Sequence, residues 1–114
     1  MQEKHWLQQL QEAEVLKKEE RNEEAYTLLK SLYEKNTFRY DKIIHANYED
    51  YIEEKVKFFV DLAELSMKVT QKPIMSLPYL DEAINMLDGA ESVLPYVNIE
   101  DIQKLRQSYM KLVK

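Results

Sequence analysis

Histidine is the side chain that most often serves as general base or metal ligand near neutral pH, and this chain has two, His5 and His45. No second histidine lies three or four residues from either one, so neither belongs to a pair that one helix face could present to a metal. The chain contains no cysteine, which excludes thiolate metal sites and cysteine nucleophiles. We therefore predict no metal site.

Carboxylates and hydroxyls are the other groups that could do chemistry. The 21 Asp and Glu residues include no Glu-x-x-His sequence of the kind found in dimetal helical bundles. A general acid–base pair needs burial to shift its pKa values, whereas these carboxylates lie among lysines on polar helix faces. The serines lack the glycine-containing turn of a hydrolase nucleophile. We predict that the protein is not an enzyme and uses no cofactor.

Net charge limits the partners that the chain can bind. Its 16 Lys and Arg against 21 Asp and Glu give −5, and an even spread of acids repels phosphate, which predicts no nucleic-acid partner. We also predict no membrane partner, because no apolar run approaches the ~20 residues that span a bilayer and basic amphipathic helices are missing. With no cysteine, the expected location is the cytoplasm.

A single glycine in 114 residues favours helices, because tight hairpin turns and phosphate-binding loops both need glycine. Apolar residues recur at intervals of three and four along most of the sequence. We predict one all-α domain, residues 1–114, of about five helices arranged as antiparallel hairpins. Its parts are a hairpin over about 3–36, a long helix over about 40–70, a helix over about 79–94 and a closing helix over about 99–113.

Caps and prolines set these limits. Asn22 and Asn98 are the predicted N-caps of the second and fifth helices. A loop is predicted over 72–78, because its two prolines each remove a helical hydrogen bond and clash with the preceding turn. Pro95 ends the helix that follows. If Asn47 acts as a cap, the long helix breaks near residues 45–47, although we expect it to be continuous.

The segment from Leu80 to Pro95 resembles the second helix of a tetratricopeptide repeat. That family has a small residue, a bulky residue four positions later, a second small residue three positions after that, and a proline five positions further on. In this chain these positions are occupied by Ala83, Leu87, Ala90 and Pro95. The small residues let two helices approach closely, the bulky one fills the gap, and the proline ends the unit.

Two further segments extend this resemblance. Residues 59–63 are similar to the aromatic-x-x-Leu-small start of the repeat's first helix, and an earlier copy repeats the alternation of small and bulky side chains. That earlier copy consists of Ala13, Leu16, Ala25, Leu29 and Leu32. The chain departs from the family by about eight extra residues around the two prolines of 72–78. Within the first copy, the departures are Gln9, Glu12, Leu32 and Thr37.

The resemblance implies a non-catalytic adaptor or scaffold that binds a peptide or another protein in a concave groove lined by first helices. The implied groove positions are Leu7, Leu10, Glu14, Lys17 and Lys18 in the first copy and Lys57, Val60, Glu64, Met67 and Lys68 in the second. The sequence lacks the residues with which some family members grip a C-terminal carboxylate, so that ligand is not implied. The lysines would instead attract an acidic peptide.

Other interpretations stay open at this point. An unrelated helical bundle would show the same spacing, and residues 5–70 resemble a microtubule-interacting-and-trafficking three-helix domain. The alternative function is a small acidic helical chaperone or inhibitor that caps a partner protein. Because repeat arrays need about three units for stability, the chain is either part of a longer solenoid or covers its core with its remaining helices or as a homodimer.

Overall fold

Five α-helices make up the computed structural model, which describes the backbone of residues 6–35, 48–89 and 99–113 and the side chains of 8–35, 51–87 and 99–113. The helices are α1 (Trp6–Lys18), α2 (Asn22–Lys35), α3 (Tyr48–Thr70), α4 (Pro73–Gly89) and α5 (Ile99–Leu112). No strand occurs within these ranges. The predicted all-α fold is confirmed.

Contacts group the helices into two compact units. The first unit, Met1–Arg39, holds the hairpin of α1 and α2, and the second, Tyr40–Lys114, holds α3, α4 and α5. Within the second unit, α4 packs against both α3 and α5. Each unit thus has its own set of packed helices.

A residue in the left-handed region reverses the chain between α1 and α2. Glu20 has a φ of 61°, its N–H donates to the Lys17 carbonyl at 3.0 Å, and the Arg21 N–H donates to the Leu16 carbonyl at 2.8 Å. These are the two bonds of a Schellman motif, in which glycine usually takes the left-handed position. Here a glutamate occupies it, at a cost of about 1 kcal/mol for a residue with a Cβ atom.

Arg21 organises the start of α2. Its carbonyl accepts the first hydrogen bond of the helix, from the Ala25 N–H at 3.1 Å, so the predicted cap at Asn22 is wrong by one residue. Its guanidinium donates through Nε to Glu24 Oε1 at 2.9 Å and through Nη2 to the second oxygen. The hydrogen bond and the charge of Glu24 raise the pKa of Arg21 above its ordinary value.

The reversal between α3 and α4 takes only two residues, Gln71 and Lys72. Gln71 has a φ of 56° and donates its N–H to the Met67 carbonyl at 2.9 Å, the single bond of a left-handed helix cap. Thr70 Oγ1 donates to the Ser66 carbonyl at 2.7 Å and accepts the Lys72 N–H at 3.1 Å. So short a connection makes α3 and α4 antiparallel neighbours.

The loop predicted over 72–78 is wrong, because residues 73–78 form the beginning of α4 and Pro78 lies inside the helix. Pro73 occupies the first helical position, where a missing N–H removes no intrahelical bond. Pro78, at the sixth position, removes only the bond to the Ile74 carbonyl and leaves every later turn intact. The extra residues between the two halves of the predicted repeat are therefore helical.

The core of the second unit centres on a wide buried face of α3. Phe58 and Leu65 are 1% exposed. The Phe58 and Phe59 rings meet edge to face with centroids 5.2 Å apart. The remaining buried side chains of α3 are Tyr51, Val56, Leu62, Ala63 and Ser66. On α4, Leu80 and Ala83 are fully buried.

Alanines are buried where the resemblance assigns small residues. Ala13 and Ala25 of the first unit and Ala63 and Ala83 of the second are at most 2% exposed. A methyl side chain lets helix axes approach to about 8 Å. Their burial agrees with closely packed hairpins, which a tetratricopeptide repeat and an unrelated bundle would both contain.

Several predicted limits lie outside the described residues. They concern positions 3–5, the start of the long helix with Asn47, and the segment 90–98 with Ala90, Pro95 and Asn98. Where the limits are described, α3 ends at Thr70 as predicted. α5 carries Glu100 and Asp101 in its first turn, where acidic groups interact favourably with the helix dipole.

Replacing Gln71 by glycine is expected to stabilise the protein by about 0.5–1 kcal/mol, because glycine adopts a positive φ without a Cβ clash. This value is the net effect, since glycine also raises the conformational entropy of the unfolded chain, which lowers stability. The measurement is the free energy of unfolding from chemical denaturation. Gln71→Ala, which keeps the Cβ atom, is the matched control and is expected to bring no stabilisation. Equal effects of the two substitutions would contradict a strained cap.

Candidate functional site

The groove positions assigned to the first copy share one face of α1. Glu14 and Lys18 are exposed, and Leu10 and Lys17 are half-buried. Lys17 Nζ lies 3.3 Å from Glu14 Oε1, an exposed pair of the kind that contributes little to stability. The Leu7 side chain lies outside the described residues. The four described positions thus form one charged face with a partly covered leucine at its edge.

The positions assigned to the second copy share the outward face of α3. Lys57, Glu64 and Lys68 are exposed, whereas Val60 and Met67 are half-buried. Lys57 Nζ also pairs with Glu53 Oε1 at 3.1 Å, one turn earlier. These five residues form a strip of two apolar side chains flanked by both signs of charge. Each copy therefore supplies a face within its own unit, and a groove that joins the two faces stays a prediction.

Sequence reasoning missed the apolar side chains that the described part of the chain leaves exposed. In the second unit these are Ile74 and Met75 at the start of α4 and Met110 and Leu112 near the end of α5, each 41–66% exposed. Ile74 and Met75 were missed because the two prolines led to the prediction of a loop over 72–78. A usable signal was present: acidic residues are missing from 65–80 and 107–113 although the chain has 21 of them.

Two buried hydroxyls have no hydrogen-bond partner among the described residues, those of Ser66 on α3 and Ser76 on α4. Both residues are fully buried, and they lie five positions before and after Gln71 in an antiparallel hairpin. A buried hydroxyl without a partner costs about 1–3 kcal/mol of desolvation. Their small size rather than their chemistry suits the helix interface, so neither is a candidate nucleophile.

Tyr109, near the end of α5, has a shifted pKa. Burial of its ring and, secondarily, the negative charge of Glu64 both raise the pKa of Tyr109 above its ordinary value. The neutral phenol is thus the favoured form in the folded protein.

The described ranges hold neither a cluster of metal ligands nor a helix suited to crossing a membrane. No group of three or more His, Cys, Asp or Glu there is arranged to hold a metal ion. No described helix combines the length and apolar character that a membrane crossing requires. His5 and His45 lie outside these ranges, so the absence of a metal site and of an enzymatic activity stay predictions.

No protein-family model, curated protein or solved structure matches this chain. The tetratricopeptide resemblance therefore rests on the residue pattern alone.

Substituting Ser76 by alanine is expected to raise the free energy of unfolding by about 1 kcal/mol, because it removes a buried hydroxyl without a partner. The measurement is the shift of the chemical denaturation midpoint. Ser108→Ala is the matched control: Ser108 is exposed and its Oγ donates to the Lys104 carbonyl at 3.0 Å. The control receives the same gain in helix propensity and is expected to change stability by less than about 0.5 kcal/mol. A destabilised S76A would show that the hydroxyl is bonded.

Raising the pH is expected to destabilise the wild type more than Tyr109→Phe. The folded pKa of Tyr109 lies above its unfolded value, so the stability that the neutral phenol contributes is complete below the unfolded pKa and is lost as pH rises through the folded pKa. Free energies of unfolding measured between about pH 9 and about pH 11 test this. Tyr33→Phe controls for loss of an exposed tyrosine hydroxyl. Parallel pH dependence in wild type and Y109F would contradict the shift.

Proposed function

We propose that the protein is a non-catalytic interaction module, a tetratricopeptide-like adaptor or scaffold that binds a peptide or a partner protein. The observation that carries the proposal is the outward face of α3. Val60 and Met67 are half-buried there, among exposed Lys57, Glu64 and Lys68. Apolar side chains inside a polar rim are the usual composition of a protein-recognition surface.

The opposite face of α3 holds this surface in place. At 100° per residue, Phe58, Leu62 and Leu65 lie on the other side of the helix from Val60 and Glu64. All three are at most 1% exposed, and α3 packs against α4. A backbone fixed in this way loses little conformational entropy when a partner binds.

The tetratricopeptide-like part of the proposal is supported by burial at the helix interfaces. Ala63 and Ala83, on two helices that pack together, are fully buried at positions that the repeat gives to small residues. Lys57 and Lys68 make the outward face suitable for a partner with acidic residues. The absence of cysteine from the chain supports a location in the cytoplasm.

A capping chaperone or inhibitor is the second candidate. It is favoured by the exposed apolar side chains at the start of α4 and the end of α5, of which Ile74 is 66% and Leu112 is 54% exposed. Apolar side chains that cluster on a surface mark an interaction site. A capping protein would form a stable stoichiometric complex and suppress its partner's activity, whereas an adaptor would leave that activity unchanged.

Photo-cross-linking tests the outward face of α3. The full chain carries a benzophenone amino acid at Glu64 or, as a control, at Gln103, an exposed position of α5. In a lysate of the source cells, a discrete partner is expected to cross-link at position 64 and not at 103. Cross-linking at both positions alike, or at neither, would contradict the proposed surface.

Affinity measurements with the captured partner then test the contacts. Met67→Ser is expected to weaken binding about tenfold, as truncation of an interface anchor does. Glu64→Lys reverses the charge of an exposed side chain, so it tests the surface even if M67S unfolds. Ser108→Ala is the control, and circular dichroism verifies the helices of each variant. Unchanged affinity in both face variants excludes the outward face of α3.

A further inference from the structure

The second unit has one end at which α3 stops, α4 starts and α5 stops. The two-residue connection brings the end of α3 beside the start of α4. Arg106 of α5 donates through Nε to Asp81 Oδ1 at 2.6 Å, whereas Tyr109 is close enough to Glu64 for that charge to raise its pKa. α5 follows α4 after nine residues and packs against it. Sequential helices joined by a short connection pack antiparallel, so α5 runs toward the connection between α3 and α4. We call this end of the unit the turn end.

Helix geometry places the exposed apolar side chains at the turn end. Ile74 lies seven residues before Asp81, and Val113 lies seven residues after Arg106. Seven residues correspond to about 10 Å along a helix. Ile74 therefore lies level with Val113, where α5 has just ended. Ile74 is 66% exposed.

Apolar residues lie on both α4 and α5 beyond the Arg106–Asp81 pair, toward the turn end. On α4, Ile74 and Pro78 precede Asp81 by seven and three residues, so they lie on the same side of the helix as Asp81. On α5, Met110 follows Arg106 by four residues and lies on the same side of the helix as Arg106, and Val113 is the first residue after the helix. We call these four residues the apolar seam. Met110 is 47% exposed and has the flexible side chain that adapts to varied partners.

The charge at the turn end is opposite in sign to that of the whole chain. Residues 65–80 and 107–113 contain Lys68, Lys72 and Lys111 and no Asp or Glu, a local charge of +3. The rest of the chain therefore carries −5 − 3 = −8. All three lysines are exposed. An apolar seam beside lysines is complementary to an apolar surface that carries carboxylates.

We propose that the apolar seam binds an amphipathic helix of a partner protein, with its apolar face against Ile74 and Met110 and acidic side chains toward Lys72 and Lys111. This is a helix-in-groove mode of recognition. It rests on the proposed function, since it names a second surface and the partner chemistry of an interaction module. The bound helix packs against the second unit at the level where α5 ends.

Two other occupants fit the observations less well. An anionic membrane is an extended surface, and the −8 of the remaining chain opposes its approach, whereas a short helix touches the turn end alone. A second copy of the chain would place the lysines of two turn ends against each other.

A pair of synthetic peptides tests the partner chemistry. Both are fluorescein-labelled amphipathic helices with leucine on one face, and the other face carries glutamate in one peptide and lysine in the other. Fluorescence anisotropy with the full chain is expected to show at least about tenfold tighter binding of the glutamate peptide. Equal affinities, or preference for the lysine peptide, would overturn the proposal.

Variants locate the peptide on the protein. Ile74→Ser combined with Met110→Ser is expected to weaken binding of the glutamate peptide about tenfold or more, and Lys72→Glu with Lys111→Glu is expected to do the same. Val15→Ser, at an apolar position of α1 that is 54% exposed, is the matched control and should bind like wild type. All substituted side chains are exposed, and circular dichroism verifies that the helices persist. Wild-type affinity in both double variants overturns the proposal.

Two measurements separate the other occupants. Binding to phosphatidylserine vesicles that disappears in the I74S/M110S variant, without binding of the glutamate peptide, would assign the seam to a membrane. A dimer in light scattering that the same variant abolishes would assign it to a second copy. Either result overturns the proposal but leaves the outward face of α3 untouched. Conversely, failed cross-linking at Glu64 with intact peptide binding would overturn that face and retain the seam.

Discussion

The burial of one face of α3 against α4 is the constraint on which the second unit depends. α3 contributes two phenylalanines and two leucines to this face, and α4 contributes Leu80 and Ala83, all 5% exposed or less. Because the interior is this apolar, α3 is fixed in rotation, and the residues on its other side are fixed as a surface. The same packing keeps Ser66 and Ser76 from water although neither hydroxyl has a described partner. Close approach of the helices thus takes precedence over hydrogen bonding at these positions.

Chain reversal without glycine is the second constraint. Glu20 and Gln71 both adopt a positive φ, and both donate the helix-capping hydrogen bonds that glycine normally makes possible. Local strain of this kind persists only when packing on either side determines the path of the chain. The tight connections that result bring helix ends together, and in the second unit they place Lys68 and Lys72 beside the exposed start of α4.

Charge and apolar exposure are distributed so that the two candidate surfaces differ in character. The outward face of α3 mixes both signs around half-buried Val60 and Met67, whereas the turn end is purely basic around Ile74 and Met110. A mixed face selects partners by complementary pattern, and a single-sign face attracts by net charge. One small unit could therefore hold two partners, or two segments of one partner, by separate contacts.

Composition and periodicity were sufficient to predict an all-α chain of five helices, because one glycine and apolar spacings of three and four are local properties that need no knowledge of packing. Helical periodicity also placed Val60, Glu64 and Met67 on one face, because periodicity is likewise a local property of the sequence. Packing alone decided that Phe58 is buried and that Pro78 continues a helix, since both depend on what lies beside α3 and α4. The packing of α5 against α4 also came only from the tertiary structure, because Asp81 and Arg106, which form a hydrogen bond between the two helices, are 25 residues apart in sequence.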